Sequence, residues 1–452
     1  MQLSLMILLL LNNDMKYIYP DLSKTKNKVK ITNYFQLETL VKSAYSNDIS
    51  MYIDKDFGMM KQDKFNSTDS SKNRRENHVN IDLSGLDTIE KVYTEDKLAI
   101  VNSGIKINEL NKQLKEYGLM FPVALQNDKT VMEVINENLL LANSFKDGSV
   151  RSYIEDITLM TPSSKLVKTG NRIGDNFWYG YNMKDLIVGS WYSLGFTVQA
   201  VLKLKSIDTF GTMFILTVED DVDYLDLIKQ LSKIDTEYDI LSAIRVYNKG
   251  TYVNPTNPED IEKKALVLYT YSKTKDEQQN SISTVKSYLN SSIKTVDFEY
   301  DQSEYVNLTK TSIKNSDYFD WYVPLSKVGK IMNELPELES TPYEIHLVNS
   351  SAILRIYPGD TNSAWLDRVT SKIIRYRGVL NANKGLLDKA DPNLIPRLVG
   401  SESEEIQKEI KRLFDEKDLL EPWNLYDITK PTLIERIKGK HPVWKYIVEC
   451  FI

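Results

Sequence analysis

Three histidines, His78, His346 and His441, and one cysteine, Cys450, are the imidazole bases and soft metal ligands of this 452-residue chain. The histidines lie far apart and none has metal-ligand spacing. A single cysteine excludes an internal disulfide, a multi-cysteine metal centre and an iron–sulfur cluster held by this chain. Chemistry that needs clustered His or Cys must come from a cofactor or a partner. His346 sits in EIHLV, alternating with apolar residues on one face of a strand, as a satisfied structural histidine does.

A second stretch raises a ligand question of another kind. DLIVGSWYSLGFTVQAVLKL, residues 185–204, carries Gly189 and Gly195 in a run that otherwise reads as strand. A turn that a ligand approaches wants bare backbone. Here Trp191 and Tyr192 stand between the glycines. Ser190 suits a hydrogen bond to its own turn, the usual fate of a turn serine.

The totals set the frame for these residues. The length predicts about two or three domains with sizeable cores. Charged residues at 27% and hydrophobic ones at 42% fit an ordinary globular protein. A net charge of −6 gives no electrostatic footprint for nucleic acid. The sparse cysteine usage suits a reducing, cytoplasmic compartment. The apolar run Leu3–Leu11 is too short to span a bilayer and lacks a basic flank and a cleavage site. It reads as an extension upstream of Met15 or as a buried strand, the alternative being a weak membrane anchor.

Residues 30–53 predict a strand, a helix capped by Asn33, and the strand ISMYI. Residues 63–77 are polar without periodicity and predict a loop. HVNIDLSG and KLAIVNSGI predict strands, and INELNKQLKEYG an amphipathic helix closed by Gly118. TVMEVINENLLLANS is helix-like, and RSYIEDITLMTPSSKLVKTG predicts a hairpin. From residue 212 strands such as MFILTV and ALVLYTY alternate with helices such as YLDLIKQLSKI, the rhythm of a two-layer α/β unit. Residues 401–420 predict a charged amphipathic helix that stops near Pro422, and the tail 427–452 carries apolar bulk suited to docking a partner.

In this order the elements resemble the FAD-linked oxidases of the vanillyl-alcohol-oxidase, or PCMH, type. They most resemble the FAD-binding subunit of glycolate oxidase and the D-lactate dehydrogenases. The likeness rests on VNIDLSGLDTIEKVYTEDKLAIVNSGIKINELNKQLKEYGLMFPV, on GSVRSYIEDITLMTPSSKLVKTG, on GYNMKDLIVGSWYSLGFTVQAVLKL and on EIQKEIKRLFDEKDLLEPWNLY. The resemblance implies an α+β fold in which two α/β subdomains clamp FAD beneath an inserted α/β cap. It implies an N-terminal extension at 1–29, an FAD-binding domain at 30–205, a cap at 206–375, a closing segment at 376–426 and a tail at 427–452. It implies oxidation of a 2-hydroxy acid such as glycolate or D-lactate. Hydride would pass from the α-carbon to the flavin, and electrons onward to other oxidase subunits. Those partners could hold the chain at a membrane surface, since no transmembrane segment is read in the sequence.

The cofactor positions implied are Gly58, Gly104, Gly148, Ser149, Val150, Arg151, Gly189 and Ser190. The substrate positions implied are His346, Arg355, Arg375 and Arg377, since Arg forks match a carboxylate. Gly104 suits a tight turn as well as a ligand contact, and Arg151 suits a carboxylate as well as a phosphate. The chain departs from the family where backbone should be bare. Gly58 stands alone among Asp54, Lys55, Asp56 and Lys61, and Glu133 and Val134 take glycine positions. Ser152 replaces an acid, Trp191 and Tyr192 fill the Gly-Ser-x-Gly turn, and Trp423 takes a closing glycine. Three readings follow: a working FAD-binding subunit, a flavin-free structural subunit beside a catalytic paralogue, and an unrelated α/β binding protein.

Overall fold

The computed structural model of the chain describes residues 27–54, 78–123, 129–141, 143–170, 181–207, 210–218, 239–248, 251, 264–288, 295–300, 318–338, 341–348, 351–357, 363–381 and 400–422. Gly58, the expected loop at 63–77, the expected helix at 224–234 and the tail at 427–452 lie outside the described residues.

β1 (Asn27–Lys30), β2 (Ser50–Ile53) and β3 (His78–Asp82) form a parallel sheet with β3 in the middle. Helix α1 (Tyr34–Ser46) links β1 to β2. Its opening N–H groups need partners, and the Asn33 side chain accepts the Gln36 N–H at 3.0 Å. Leu37, Leu40, Val41 and Ala44 recur at helical spacing and are buried.

A second sheet follows. β4 (Ile89–Tyr93) and β5 (Leu98–Asn102) lead to α2 (Ile107–Leu114) and the short β6 (Leu119–Met120). Gly118 takes a left-handed φ of 67° where that helical segment closes. Then come α3 (Val131–Asn136), α4 (Ser144–Asp147), β7 (Ile154–Met160), β8 (Leu166–Lys168), α5 (Lys184–Ile187) and β9 (Phe196–Lys203). The sheet order is β4–β5–β9–β7–β8, antiparallel throughout. Both faces of its central strands are buried. Ala200 and Leu202 of β9 join Ile107, Leu110 and Leu114 of α2 in one core. Phe196 and Val198 join the first sheet in another. The expected helix over 130–144 is shorter than its composition suggested. It ends because Asn138 adopts a left-handed φ of 48° and its side chain accepts the Arg151 N–H at 3.3 Å.

β10 (Lys205–Ser206) pairs with β6. The chain then builds β11 (Phe210–Val218), β12 (Leu241–Tyr247), β13 (Lys264–Ser272), α6 (Lys275–Tyr288) and β14 (Thr295–Tyr300). β15 (Phe319–Pro324), α7 (Val328–Glu334), β16 (Tyr343–Val348), β17 (Ser351–Ile356), α8 (Ser363–Arg375) and β18 (Val379–Asn381) complete it. The strands make one antiparallel sheet ordered β14–β11–β13–β12–β16–β17–β15–β18. One face packs Ile244, Leu268, Trp321 and Leu354 against Val285, Val328 and Ile373 of the helices. This is the two-layer arrangement that the alternation predicted.

Helix α9 (Ser401–Phe414) brings the chain back to the first two sheets. It stops at Phe414, before the expected end near Pro422, because Asp415 folds the next turn. The Asp415 carboxylate accepts the N–H groups of Leu419 and Leu420 at 3.0 and 2.9 Å and the Lys411 ammonium at 2.6 Å. Lys411, itself buried, also donates to the carbonyls of Ser193 and Leu420 at 2.9 Å. Met51 and Leu420 then pair in parallel, so the returning segment extends the first sheet.

Candidate functional site: a packed turn beneath a polar sheet face

Two constellations stand out, one at the turn between α5 and β9 and one on the face of the eight-stranded sheet turned away from its helices. The turn is fastened to the end of α3. Gly189 N–H donates to the Ile135 carbonyl at 3.1 Å, and Trp191 N–H to the Asn136 carbonyl at 3.0 Å. The Asn136 side chain accepts from Ser190 Oγ and from the Tyr192 N–H, both at 3.3 Å. Gly195 is required by packing, since a Cβ there would lie 2.7 Å from Leu159 Cγ and from the Met160 carbonyl. Gly189, Trp191 and Tyr192 have φ of 84°, 52° and 66°. That backbone suits glycine and costs an ordinary residue about 1–2 kcal/mol.

Tyr192 offsets that strain by burial. Its side chain is fully buried in the core of the first sheet, with Met51, Val79 and Ile81. Its hydroxyl donates to Glu137 at 3.3 Å, and Glu137 pairs with Lys129 at 2.5 Å. Glu133 closes a capping box with Thr130, whose N–H it accepts at 2.8 Å. Burial pushes the Tyr192 hydroxyl pKa well up, and the charges of Glu137, Glu133 and Glu421 push the same way. Burial likewise raises the Glu133 pKa, against the Thr130 hydrogen bonds and the Lys129 charge.

The face of the eight-stranded sheet turned away from its helices gathers buried charge. Arg245 of β12 lies opposite His346 of β16, and Glu344 opposite Arg355 of β17. Arg355 makes a two-pronged pair with Asp320 at 2.8 and 2.9 Å and stacks on the Tyr318 ring at 4.1 Å. His346 Nε2 lies 2.8 Å from Glu344, which also accepts the Tyr357 hydroxyl at 2.8 Å. Burial holds the His346 pKa below its ordinary value, helped by Arg245 and Arg355 and opposed by Glu344. Burial alone would raise the Glu344 pKa, but His346, Arg355 and Tyr357 carry it below its ordinary value. Burial pushes Tyr318 and Tyr322 up to about 12. Glu137 adds to the Tyr318 shift and Arg151 opposes the Tyr322 shift, so this face looks toward α3 and the Arg151 segment. α4 docks the two parts: Phe145 enters the large core, and Lys146 pairs with Asp239 at 2.8 Å.

The sequence-derived residues fall as follows. A Cβ on Gly104 would lie 2.0 Å from the Leu83 carbonyl oxygen, so close backbone crossing demands glycine there. Gly148, with φ 77°, donates to the Ser144 carbonyl, and Ser149 bridges Leu140. Val150 N–H donates to the Leu139 carbonyl at 2.8 Å. The Arg151 guanidinium donates to the carbonyls of Asp185 and Val188 at 2.8 and 2.6 Å, closing the end of α5. The structure brings His346 and Arg355 together on one sheet face. It leaves Arg375 and Arg377 exposed at the end of α8, on the helical side of that sheet. Sequence reasoning passed over Asp320, Glu344, Arg245 and the Lys129–Glu137–Tyr192 network. The signal for the first three was polar residues two apart in YEIHLV, FDWYV and LSAIRVY, which share one strand face.

The chain is similar to several known proteins. Residues 65–170 match a family model described as a FAD binding domain. D-lactate dehydrogenase [cytochrome] of Arabidopsis thaliana is 28% identical over 148 residues, 32% of this chain and 26% of that protein. The chain thus matches about a quarter of the length of this relative. D-lactate dehydrogenase of Anaerostipes hadrus is 20% identical over 76% of this chain and 79% of its own. A glycolate oxidase subunit of Bacillus subtilis is 26% identical over 26% of each chain. The solved structure of an alkyldihydroxyacetonephosphate synthase superposes with a TM-score of 0.59 at 15% identity, covering 87% of this chain and 76% of that one.

FAD is the cofactor of the matched domain family, so its fit can be judged on the residues described. A diphosphate wants open N–H donors and cations. The N–H groups of Gly104, Gly148, Val150, Arg151, Gly189 and Ser190 each donate within the chain. So do those of Val131, Met132 and Glu133 at the start of α3. Arg151 is held by α5, and buried carboxylates surround the Tyr192 hydroxyl. These described residues do not form a diphosphate cradle. The fold is nevertheless shared: this chain has the α+β fold of the PCMH-type FAD-linked oxidases, and residues 65–170 match a FAD binding domain.

Proposed function

We propose that the chain is a subunit of a FAD-dependent oxidoreductase acting on a 2-hydroxy acid such as glycolate or D-lactate. The observation that carries this reading is the buried polar sheet face, where His346, Glu344, Arg355 and Asp320 gather. Buried imidazole and guanidinium groups suit a small acid bearing a hydroxyl. Names of relatives support the same substrate class. In this reading residues 30–205 and 376–426 are the FAD-type domain and 206–375 the cap. His346 and Arg355 face the substrate, and Arg375 and Arg377 lie apart from it. Electrons go on to other oxidase subunits, in the cytoplasm or at a membrane surface they provide. No helix among the described residues is long and apolar enough to cross a membrane.

The test is anaerobic mixing of the complex purified through this chain, with FAD in excess, with D-lactate, glycolate or a 3-hydroxy acid. Bleaching of the flavin band by the first two alone supports the reading. No bleaching by any 2-hydroxy acid rejects it. The packed surroundings of Tyr192 favour a second reading, in which this chain is the non-catalytic subunit and a paralogue holds the working flavin. Flavin content of each separated subunit tells the two apart.

A further inference from the structure

Helix α9 is turned inside out. Glu404, Lys408 and Lys411 recur at i, i+4 and i+7 and are exposed to only 5%, 4% and 3%. A step of two residues turns about 200° around a helix. Ile406, Ile410 and Leu413 therefore run along the opposite face, where Ile406 and Leu413 are 61% and 81% exposed. An ordinary surface helix does the reverse. α9 is kept from rolling over by the bonds of its charged face. Glu404 pairs with Lys408 at 3.0 Å, Lys411 pairs with Asp415, and Lys411 also donates to the Ser193 and Leu420 carbonyls. Rolling would break these buried pairs. The apolar stripe thus faces outward along a groove of about 870 Å³. Glu402, Glu405 and Glu409 border that groove, together with Arg412, which pairs with Glu409. An exposed apolar patch with a polar rim marks an interaction site.

One segment of this chain matches the stripe. Residues 433–452, outside the described residues, carry Trp444, Ile447, Val448 and Phe451 at the spacing of one helix face. They also carry Arg436, Lys438, Lys440 and Lys445 against Glu435 and Glu449, a cationic excess that suits an acidic border. Reach is sufficient. The Leu420 carbonyl is bonded to Lys411, so the chain leaves from beside α9. The 14 residues of α9 span about 21 Å, and about ten extended residues reach about 33 Å. A tether of this kind holds the segment at about millimolar effective concentration, ahead of a separate partner.

We propose that residues 433–452 of this chain lie along the outer face of α9 and cover Ile406 and Leu413. The inference goes beyond the subunit reading and needs neither flavin nor substrate, so failure of either leaves the other standing.

The test uses the full chain, whose one cysteine is Cys450. Glu405→Cys adds a second on α9, and nitroxide labels on both give their separation by pulsed electron resonance. The expected result is one narrow distance no longer than about 30 Å, the length of α9 plus a helix diameter. It should persist when labelled chain is diluted into excess unlabelled chain. A broad distribution overturns the proposal. So does a narrow one lost on dilution, which would put a second copy on α9. Hydrogen exchange of the unlabelled chain supplies an independent measurement. Leu413→Lys should speed exchange over 433–452 by about tenfold or more, because a lysine there resists burial and repels a basic segment. Equal exchange in Leu413→Lys and wild type overturns the proposal, as does protection that appears only with partner subunits present.

Discussion

Replacing Asp320 by alanine leaves the Arg355 guanidinium without its two-pronged partner. Both groups are well covered, with side-chain exposures of 6% for Asp320 and 21% for Arg355, so little solvent screening is available. Removing one member of a buried ion pair typically costs about 3–5 kcal/mol, since the other charge is stranded. Arg355 keeps its place over the Tyr318 ring, which retains part of its stabilisation and sets the expected loss near about 3 kcal/mol. For a folding unit of roughly 150–250 residues that loss lowers Tm by about 6–12 °C. The assay is thermal unfolding followed by circular dichroism for Asp320→Ala, Arg355→Met and the double variant. The double variant should recover most of the loss, because no charge is then stranded. A Tm for Asp320→Ala within about 1 °C of wild type, or a double variant worse than either single one, refutes the buried pair.

Other expectations follow from the same geometry. The His346 pKa is depressed on folding, so the unfolded chain takes up that proton first and stability falls as pH drops below about 6.5. The Glu344 pKa is also depressed, which adds a second loss as pH falls below about 4.3. Urea titrations of wild type and His346→Gln across pH 5–7 should show the upper loss flattened in the variant, and parallel curves would contradict this. Lys411→Met strands the Asp415 carboxylate and frees two carbonyls, so the segment after Phe414 should become the first site of limited proteolysis. Gly104→Ala should leave little soluble protein, because its Cβ meets backbone rather than a movable side chain.

The fold was largely legible because local signals and tertiary packing agree. Asn33 caps the helix it was expected to cap, and Gly118 closes a helical segment in the conformation that glycine favours. The hairpin over 151–170 forms at β7 and β8. Two helix ends were misjudged, at Asn136 and Phe414. In both cases a side chain, Asn138 or Asp415, redirects the backbone through contacts that composition does not reveal. The site was legible only in part. His346 and Arg355 were visible as types, but their neighbours Asp320 and Arg245 come from distant strands joined by pairing register. The aromatics at 191 and 192 were visible as oddities. That Tyr192 reaches Glu137 depends on a left-handed turn packed against α3, which no periodicity encodes.

The central proposal is that this chain, with the α+β fold of the PCMH-type FAD-linked oxidases, is a FAD-binding subunit of an oxidoreductase. The most direct measurement is the visible absorbance spectrum of the chain purified alone, after incubation with FAD and gel filtration. The account predicts a flavin spectrum that survives gel filtration at close to one FAD per chain. A chain that stays colourless after incubation with FAD would contradict it.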